Sequence, residues 1–139
     1  MPSRRTFVSL MGTAACVGGA VASPASAATL DLGSIPLPAY EAAMRLAIAA
    51  AKANPLYPFG AVIVGVADRA VLAQGVNNSK ANPILHGEIA AINDYVARHG
   101  NQGWADSILY TTGEPCPMCM GDIVWAGIGG VVYASSITR

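Results

Sequence analysis

Two short motifs, each at the start of a predicted helix, constrain this chain more than any other feature of its sequence. The first is His-Gly-Glu at residues 86–88, and the second is Pro-Cys-Pro-Met-Cys at residues 115–119. Cysteines three positions apart on a first helical turn lie on nearly one face, and the helix N-terminus favours their thiolates. His86 and Glu88 would point about 200° apart on a regular helix, so they converge only on a point beyond the helix end. We therefore expect both helix N-termini to face one site.

One histidine and two cysteines form a ligand set suited to zinc. A catalytic tetrahedral zinc needs three protein ligands and an open fourth position, and His86, Cys116 and Cys119 supply three. The two cysteines are too sparse for a disulfide framework. Their Cys-x-x-Cys spacing also suits a redox pair of the thioredoxin type. From these residues alone, the two cysteines could therefore belong either to a metal site or to a redox pair.

The remaining pattern predicts helices and strands in the order α-β-β-α-β-α-β. Apolar spacing, with proline or glycine at the ends, predicts helices at 38–53, 86–98 and 117–125. Runs rich in β-branched residues predict strands at 60–66, 71–75, 108–112 and 130–134, the first two as a hairpin. Strands separated by helices imply right-handed βαβ units. The predicted fold class is therefore α/β, with a mixed sheet covered by helices.

The two motifs together resemble the cytidine/deoxycytidylate deaminase superfamily, whose pattern is H-x-E followed by P-C-x-x-C. The similarity covers roughly residues 40–134, including Pro-Phe-Gly-Ala at 58–61 and Gly-Val-Asn at 75–77. Residues 109–119 look especially like guanine deaminases of the superfamily, and His-Gly-Glu looks like fungal cytosine deaminase. The resemblance implies a cytidine-deaminase-like, three-layer α/β/α fold with a mixed central sheet.

The resemblance also implies an activity, namely zinc-dependent hydrolytic deamination of a free nucleobase or related aminated heterocycle, of guanine or cytosine type. His86, Cys116 and Cys119 would hold one Zn²⁺ per chain. Glu88 would be the catalytic group that moves a proton from water to a ring nitrogen and then to the leaving amino group. Such an enzyme is a zinc-dependent hydrolase that releases ammonia.

Substrate contacts are implied for residues outside the metal ligands. Asn77, the main chain near Ala61 and the Cys116 amide occupy family positions that approach the substrate. Glu114 is either a pocket residue or a capping or ion-pairing residue. We expect Trp104 and Trp125 to be packing groups rather than stacking platforms for a base.

Two alternative functions remain at this stage. One is tRNA adenosine deamination, which is disfavoured because residues 28–139 carry six basic and eight acidic residues, a net charge of −2, without a Lys/Arg cluster. The other is a non-catalytic, zinc-stabilised module that only binds a ligand, which would have no need of Glu88. We expect a small nucleobase-like substrate, no nucleic-acid partner and, as is common in the family, a homodimer.

The chain is unusually apolar, with 53% hydrophobic residues, 12% charged residues and a mean hydropathy of +0.44. The N-terminal 27 residues account for much of this excess of apolar residues. They contain an arginine pair, an apolar run at 7–22 and Ala-Ser-Ala at 25–27, which are the parts of an export signal. Ser-Arg-Arg-Thr-Phe at 3–7 resembles the twin-arginine type, with a Sec-type signal as the alternative. The run is shorter than the roughly 20 residues that span a bilayer, so we expect no permanent membrane anchor. The predicted location is exported, periplasmic or secreted.

These predictions divide the chain into three parts. Residues 1–27 are expected to be a twin-arginine export signal, 28–37 a linker, and 38–139 the zinc-dependent deaminase domain. Members of the family continue after the strand corresponding to 130–134 with a further strand and one or two helices. We therefore expect the domain to be C-terminally short, with that strand and those helices missing.

Overall fold

Three α-helices and four strands, in the order α-β-β-α-β-α-β, form residues 30–137, which are the residues that the computed structural model describes. The elements are α1 (Leu37–Ala51), β1 (Gly60–Gly65), β2 (Val71–Val76), α2 (Gly87–His99), β3 (Ser107–Gly113), α3 (Pro117–Ala126) and β4 (Gly130–Ser135). Their order and type confirm the prediction, and every boundary lies within two residues of the predicted one. None of the helices in this part of the chain is long and apolar enough to cross a membrane. The expected export signal at 1–27 lies outside the described residues.

The four strands form one mixed sheet in the order β2-β1-β3-β4. β1 is antiparallel to both β2 and β3, whereas β3 and β4 are parallel. β2, β3 and β4 therefore run in one direction, and their carboxyl ends lie at one edge, beside the start of β1. Loops at this edge of an open α/β sheet are where ligands usually bind.

Helices cover both faces of the sheet and give the predicted three-layer α/β/α architecture. The side chains of β1 point alternately into two hydrophobic cores, one on each face of the sheet. Val62 and Val64 pack with α1, whereas Ala61 and Ile63 pack with α2 and α3. The α1 core also contains Ala43, Ala47, Ile108 and Tyr110, and the opposite core contains Ala73, Ala91, Tyr95, Trp104, Leu109 and Ile123. The buried residues on both faces explain the nearly continuous apolar run of β1.

The segment before α1, which the sequence predicts to be part of a linker, packs against the domain in the structure. Leu30, Leu32 and Ile35 contact the core beneath α1, and a single 3₁₀ turn forms at Leu32–Ser34. The Tyr40 hydroxyl donates a hydrogen bond to the main-chain oxygen of Leu32. The sequence gives no local signal for this packing, because the three apolar residues have no regular spacing. Their packing depends on the core surface formed by distant parts of the chain.

The two tryptophans differ in their surroundings. Trp104 is buried and packs on Tyr95 with ring centroids 4.1 Å apart, which confirms the expected packing role. Trp125 does not pack on the described part of the chain, because it is 91% exposed beside the 70% exposed Val124 on α3. Apolar spacing predicts the helix, but it does not reveal which face the rest of the described chain covers.

Gly75 on β2 determines how closely α2 approaches the sheet. A Cβ atom at this position would lie 2.2 Å from the Ala91 main-chain nitrogen and 2.3 Å from the Gly87 oxygen. Both atoms belong to the backbone of α2, so no side-chain rotation could relieve the clash. The first turn of α2, which carries the predicted catalytic residue, therefore requires glycine beneath it.

We expect Gly75→Ala to lower the free energy of unfolding by about 3 kcal/mol, because the added methyl group would displace α2. Urea denaturation followed by circular dichroism measures the change. Gly121→Ala is the matched control, since a Cβ there meets no atom within 4 Å and the change lies inside α3. This control should stabilise the protein by about 0.5 to 1 kcal/mol. Equal stability of the Gly75 variant and the wild type would contradict the argument.

Candidate metal centre and adjoining cavity

The two motifs lie immediately before and within the first turns of α2 and α3, at the carboxyl edge of the sheet. His86 is the residue that precedes α2 and Cys116 is the residue that precedes α3, and both have extended backbone conformations. Glu88 and Cys119 follow inside the respective helices. The two helix N-termini face one site, as the sequence predicts.

Three potential metal donors meet between these helix starts. The Sγ atoms of Cys116 and Cys119 lie 3.6 Å apart, and the Nδ1 atom of His86 lies 3.7 Å from the first and 3.6 Å from the second. Zinc bonds of about 2.3 Å to sulfur and about 2.0 Å to nitrogen, arranged tetrahedrally, would separate such donors by about 3.5 to 3.8 Å. The three residues could therefore hold one metal ion, and their spacing fits zinc.

Burial and a nearby negative charge both act on the Cys119 thiol. Burial raises the pKa of the Cys119 thiol far above its usual range, and the nearby negative charge of Glu88 raises that pKa further. A divalent cation among the donors would instead favour the thiolate forms. His86 favours a metal site over a redox pair, because its Nδ1 atom lies within 3.7 Å of both sulfur atoms and a redox pair needs no third donor.

Glu88 is a buried carboxylate with only 6% of its surface exposed. Its Oε1 atom accepts a hydrogen bond of 3.0 Å from the Thr111 hydroxyl on β3. Its place in the first turn of α2 also puts the negative charge near the positive end of the helix dipole. Thr111 was not predicted, because a threonine inside a strand gives no local sign of the residue it faces.

A cavity of about 450 Å³ opens beside the three donors and Glu88. Its volume lies within the range of small-molecule sites. Its walls come from the segment before β1 and from the segments after β2, β3 and β4, all at the same edge of the sheet. The lining residues are Tyr57, Phe59, Asn77, Ser79, His86, Glu88, Gly113, Glu114, Cys116, Ser135, Ser136 and Ile137.

The structure brings most, but not all, of the predicted substrate contacts to this cavity. Asn77, Cys116 and Glu114 line it. Ala61 does not, because its side chain is completely buried in the core between β1 and α2. Phe59, two residues earlier and just before β1, lines the cavity at this end of the strand. Tyr57, Ser79 and the segment 135–137 are lining residues that the sequence analysis did not identify.

Glu114 has a structural contact as well as a place in the cavity wall. Its Oε2 atom accepts a hydrogen bond of 2.8 Å from the main-chain N–H of Ile137. Its own main-chain N–H donates to the Ser135 oxygen at 2.7 Å. These two bonds hold the segment after β4 at the cavity. Glu114 is therefore a residue of the cavity wall, and within the described residues it neither caps α3 nor forms an ion pair.

Comparison with known proteins is consistent with this geometry. Residues 38–135 match the family model described as "Cytidine and deoxycytidylate deaminase zinc-binding region". The chain belongs to this family, and the match includes both motifs at the metal centre.

Individual relatives include purine-acting members. The chain is 46% identical to guanine deaminase of Bacillus subtilis (strain 168) over 83 residues, which are 58% of this chain and 52% of that protein. It is 40% identical to a tRNA-specific adenosine deaminase of Streptococcus pyogenes serotype M18 over 81 residues, 57% of this chain and 50% of that protein. The chain thus spans about half the length of these two curated relatives.

Solved structures show the same fold. The X-ray structure of the Bacillus subtilis guanine deaminase aligns with a TM-score of 0.63 and 40% identity, covering 69% of this chain and 64% of that chain. A crystal structure of a protein in complex with 2,6-diaminopurine aligns with a TM-score of 0.64 and 28% identity, covering 70% of this chain and 57% of that one. The cytidine-deaminase-like fold predicted from the sequence is confirmed.

We expect the purified protein to bind about one zinc ion per chain, and Cys119→Ser to lose most of it, because a buried hydroxyl is a poor replacement for a thiolate ligand. Inductively coupled plasma mass spectrometry after gel filtration measures the zinc content. Met120→Leu, an exposed neighbour outside the donor set, should keep the wild-type content. Full zinc content in the Cys119 variant would show that the ion binds elsewhere.

Proposed function

We propose that this chain is a zinc-dependent hydrolase that removes an amino group from a free nucleobase, of guanine or cytosine type, with one Zn²⁺ per chain. The observation that carries the proposal is the position of Glu88. Its carboxylate is buried, is held by Thr111 and lines the cavity together with the metal-donor residues His86 and Cys116. A proton-transfer group is needed at this position for hydrolysis but not for ligand binding alone.

Zinc, when bound, supplies Lewis-acid activation of a water molecule. Glu88 accepts a proton from the attacking water and delivers it to a ring nitrogen of the substrate. It then carries the remaining proton of that water, from the hydroxyl on the tetrahedral carbon, to the amino group. The water oxygen bonds to the ring carbon, the carbon–nitrogen bond breaks, and ammonia leaves a carbonyl behind. Guanine would give xanthine and cytosine would give uracil. The Thr111 hydroxyl holds Oε1, which fixes the orientation of the carboxylate through these transfers.

Several observations support a small heterocycle as the substrate. Relatives include a guanine deaminase and a protein solved with 2,6-diaminopurine. The cavity volume suits a single base with room to spare. A tRNA substrate, suggested by the tRNA-specific adenosine deaminase relative, is disfavoured by the net charge of −2 over residues 28–139 and by the lack of a basic cluster in the sequence.

Replacement of the proposed catalytic carboxylate tests the activity. We expect the wild type to release ammonia from at least one of guanine, cytosine, adenine and cytidine, and Glu88→Gln to lower kcat about a thousandfold, because the amide cannot accept the proton. A coupled ammonia assay measures both, and a tRNA anticodon stem is included as substrate. Glu41→Gln, the same chemical change at an exposed position of α1, is the control.

The outcome separates the candidate functions. If the protein binds zinc but releases ammonia from none of these compounds, the hydrolase hypothesis is wrong and the non-catalytic ligand-binding module is favoured. Release from the anticodon stem alone would replace the nucleobase with tRNA as the substrate.

We also propose that the protein is exported through the twin-arginine pathway, on the basis of Ser-Arg-Arg-Thr-Phe at residues 3–7. Free thiols in an oxidising compartment tend to form disulfides. The twin-arginine pathway transports folded proteins, so zinc bound before export would protect Cys116 and Cys119. This order of events reconciles an export signal with a site built on two cysteines.

The arginine pair provides the test of export. We expect Arg4→Lys/Arg5→Lys to abolish export, because the pair is the recognition element of this type of signal. Cell fractionation followed by immunoblotting measures the distribution, and Arg45→Lys on α1 is the control for the same chemical change. Unchanged export of the double variant would point to a different route.

A homodimer is the final part of the proposal. Val124 and Trp125 expose apolar surface on α3, which a second copy of the chain would remove from water. Sedimentation velocity of the zinc-loaded protein distinguishes a dimer from a monomer.

A further inference from the structure

The polar atoms of Asn77 are almost completely engaged by the protein. Its main-chain N–H donates to the Phe59 oxygen at 2.8 Å, and its main-chain oxygen accepts from Asn54 Nδ2 at 2.7 Å. Its Oδ1 atom accepts from both the main-chain N–H and the hydroxyl of Ser79, at 2.9 and 2.8 Å. Within the described part of the chain these four bonds leave Nδ2 as the polar atom of Asn77 that can serve a ligand.

One of these bonds determines which way the side-chain amide of Asn77 is oriented, that is, where its oxygen and its nitrogen lie. The main-chain N–H of Ser79 can only donate, so the atom that faces it must be the amide oxygen and not the amide nitrogen. The side chain is 6% exposed and lines the cavity. The amide oxygen of Asn77 is therefore occupied by Ser79, and Nδ2 is the side-chain atom left to donate a hydrogen bond to a ligand in the cavity.

A second asparagine holds this wall of the cavity in place. Asn54 follows α1, and its main-chain N–H donates to the Ala51 oxygen at 3.1 Å. Its Oδ1 atom accepts from the main-chain N–H groups of Leu56 and Tyr57, both at 3.2 Å, while Nδ2 donates to Asn77. One side chain thus connects the end of α1, the Tyr57 segment and the residue after β2.

We propose that Asn54 and Ser79 are positioning residues that fix Asn77 as a hydrogen-bond donor to the substrate, in support of the function proposed above. Ser79 sets the direction of the side-chain amide, and Asn54 sets the position of its main chain. The substrate must then present an acceptor, either a carbonyl oxygen or an unprotonated ring nitrogen, at the edge that meets Asn77. Heterocycles that carry only N–H groups at that edge would be rejected, because two donors would face each other in a partly buried site.

Three variants separate the parts of this proposal. Asn54→Asp keeps the acceptor for Leu56 and Tyr57 but removes the donor to Asn77, and Ser79→Ala removes the hydroxyl while leaving the main-chain N–H. Asn77→Asp replaces the cavity-facing donor with an acceptor. Asn101→Asp is the control, since it adds the same charge beyond the far end of α2, where its Oδ1 accepts from Trp104 Nε1 at 2.8 Å.

Each variant is assayed for KM and kcat, and for binding of guanine and cytosine in a Glu88→Gln background by isothermal titration calorimetry. We expect Asn54→Asp and Ser79→Ala to raise KM and Kd about tenfold, the value of one hydrogen bond, with kcat within about twofold of wild type. Asn77→Asp should weaken binding about a hundredfold, because an acceptor would face an acceptor. Asn101→Asp should change neither constant.

Nuclear magnetic resonance of ¹⁵N-labelled protein checks the contacts without any activity. The Asn77 resonances should shift in Asn54→Asp and Ser79→Ala, and the Trp104 indole resonance should not. The proposal is overturned by wild-type KM and Kd in these two variants, by an equal loss of kcat, or by tight binding to Asn77→Asp. If a base binds but no ammonia is released, the proposed deamination is overturned, and the binding test of Asn54 and Ser79 still stands. If neither guanine nor cytosine binds to the Glu88→Gln protein without further changes, both the proposed function and the positioning role are overturned.

Discussion

The site depends on two helices that begin at the same edge of one sheet. β2 and β3 run in the same direction on either side of β1, so α2 and α3, which follow them, begin at the same edge of the sheet. His86 and Cys116 occupy the last extended positions before these helices, and Cys119 follows one turn into α3. The donor distances of 3.6 to 3.7 Å therefore result from strand direction and from the close approach of α2 over Gly75.

Burying Glu88 beside two sulfur atoms is electrostatically costly without compensating contacts. Glu88 lies at the N-terminal end of α2 and accepts a hydrogen bond from the Thr111 hydroxyl, and its negative charge adds to the effect of burial in raising the pKa of the Cys119 thiol. A divalent cation among the donors offsets the repulsion between the carboxylate and the two thiolates. The charge of Glu88 and the binding of a metal ion are therefore physically coupled in this site.

Features that depend on local pattern could be predicted from the sequence, and features that depend on distant contacts could not. Proline and glycine at segment ends place the helices within two residues, and the spacing of His86, Glu88, Cys116 and Cys119 indicates the shared site. Thr111 meets Glu88 across 23 positions, and Asn54 meets Asn77 across another 23, without any local signal. Ser79 was within reach of prediction, since Asn-x-Ser in a loop favours an asparagine turn. Trp125 shows that periodicity predicts a helix without showing which of its faces is covered.

The donor residues lie at helix starts and most of the cavity wall lies in loops, and this arrangement affects how the site can evolve. The metal donors and Glu88 are anchored at two helix starts, whereas most of the cavity wall comes from segments that follow or precede strands, among them 54–59, 77–79 and 135–137. Loops on a rigid scaffold accept substitutions more readily than the elements they connect. Selection for a different ligand can therefore act on the wall while the three donors and Glu88 stay in place. Because Asn54 joins the Tyr57 segment to Asn77, substitutions in these two parts of the wall would not be independent of each other.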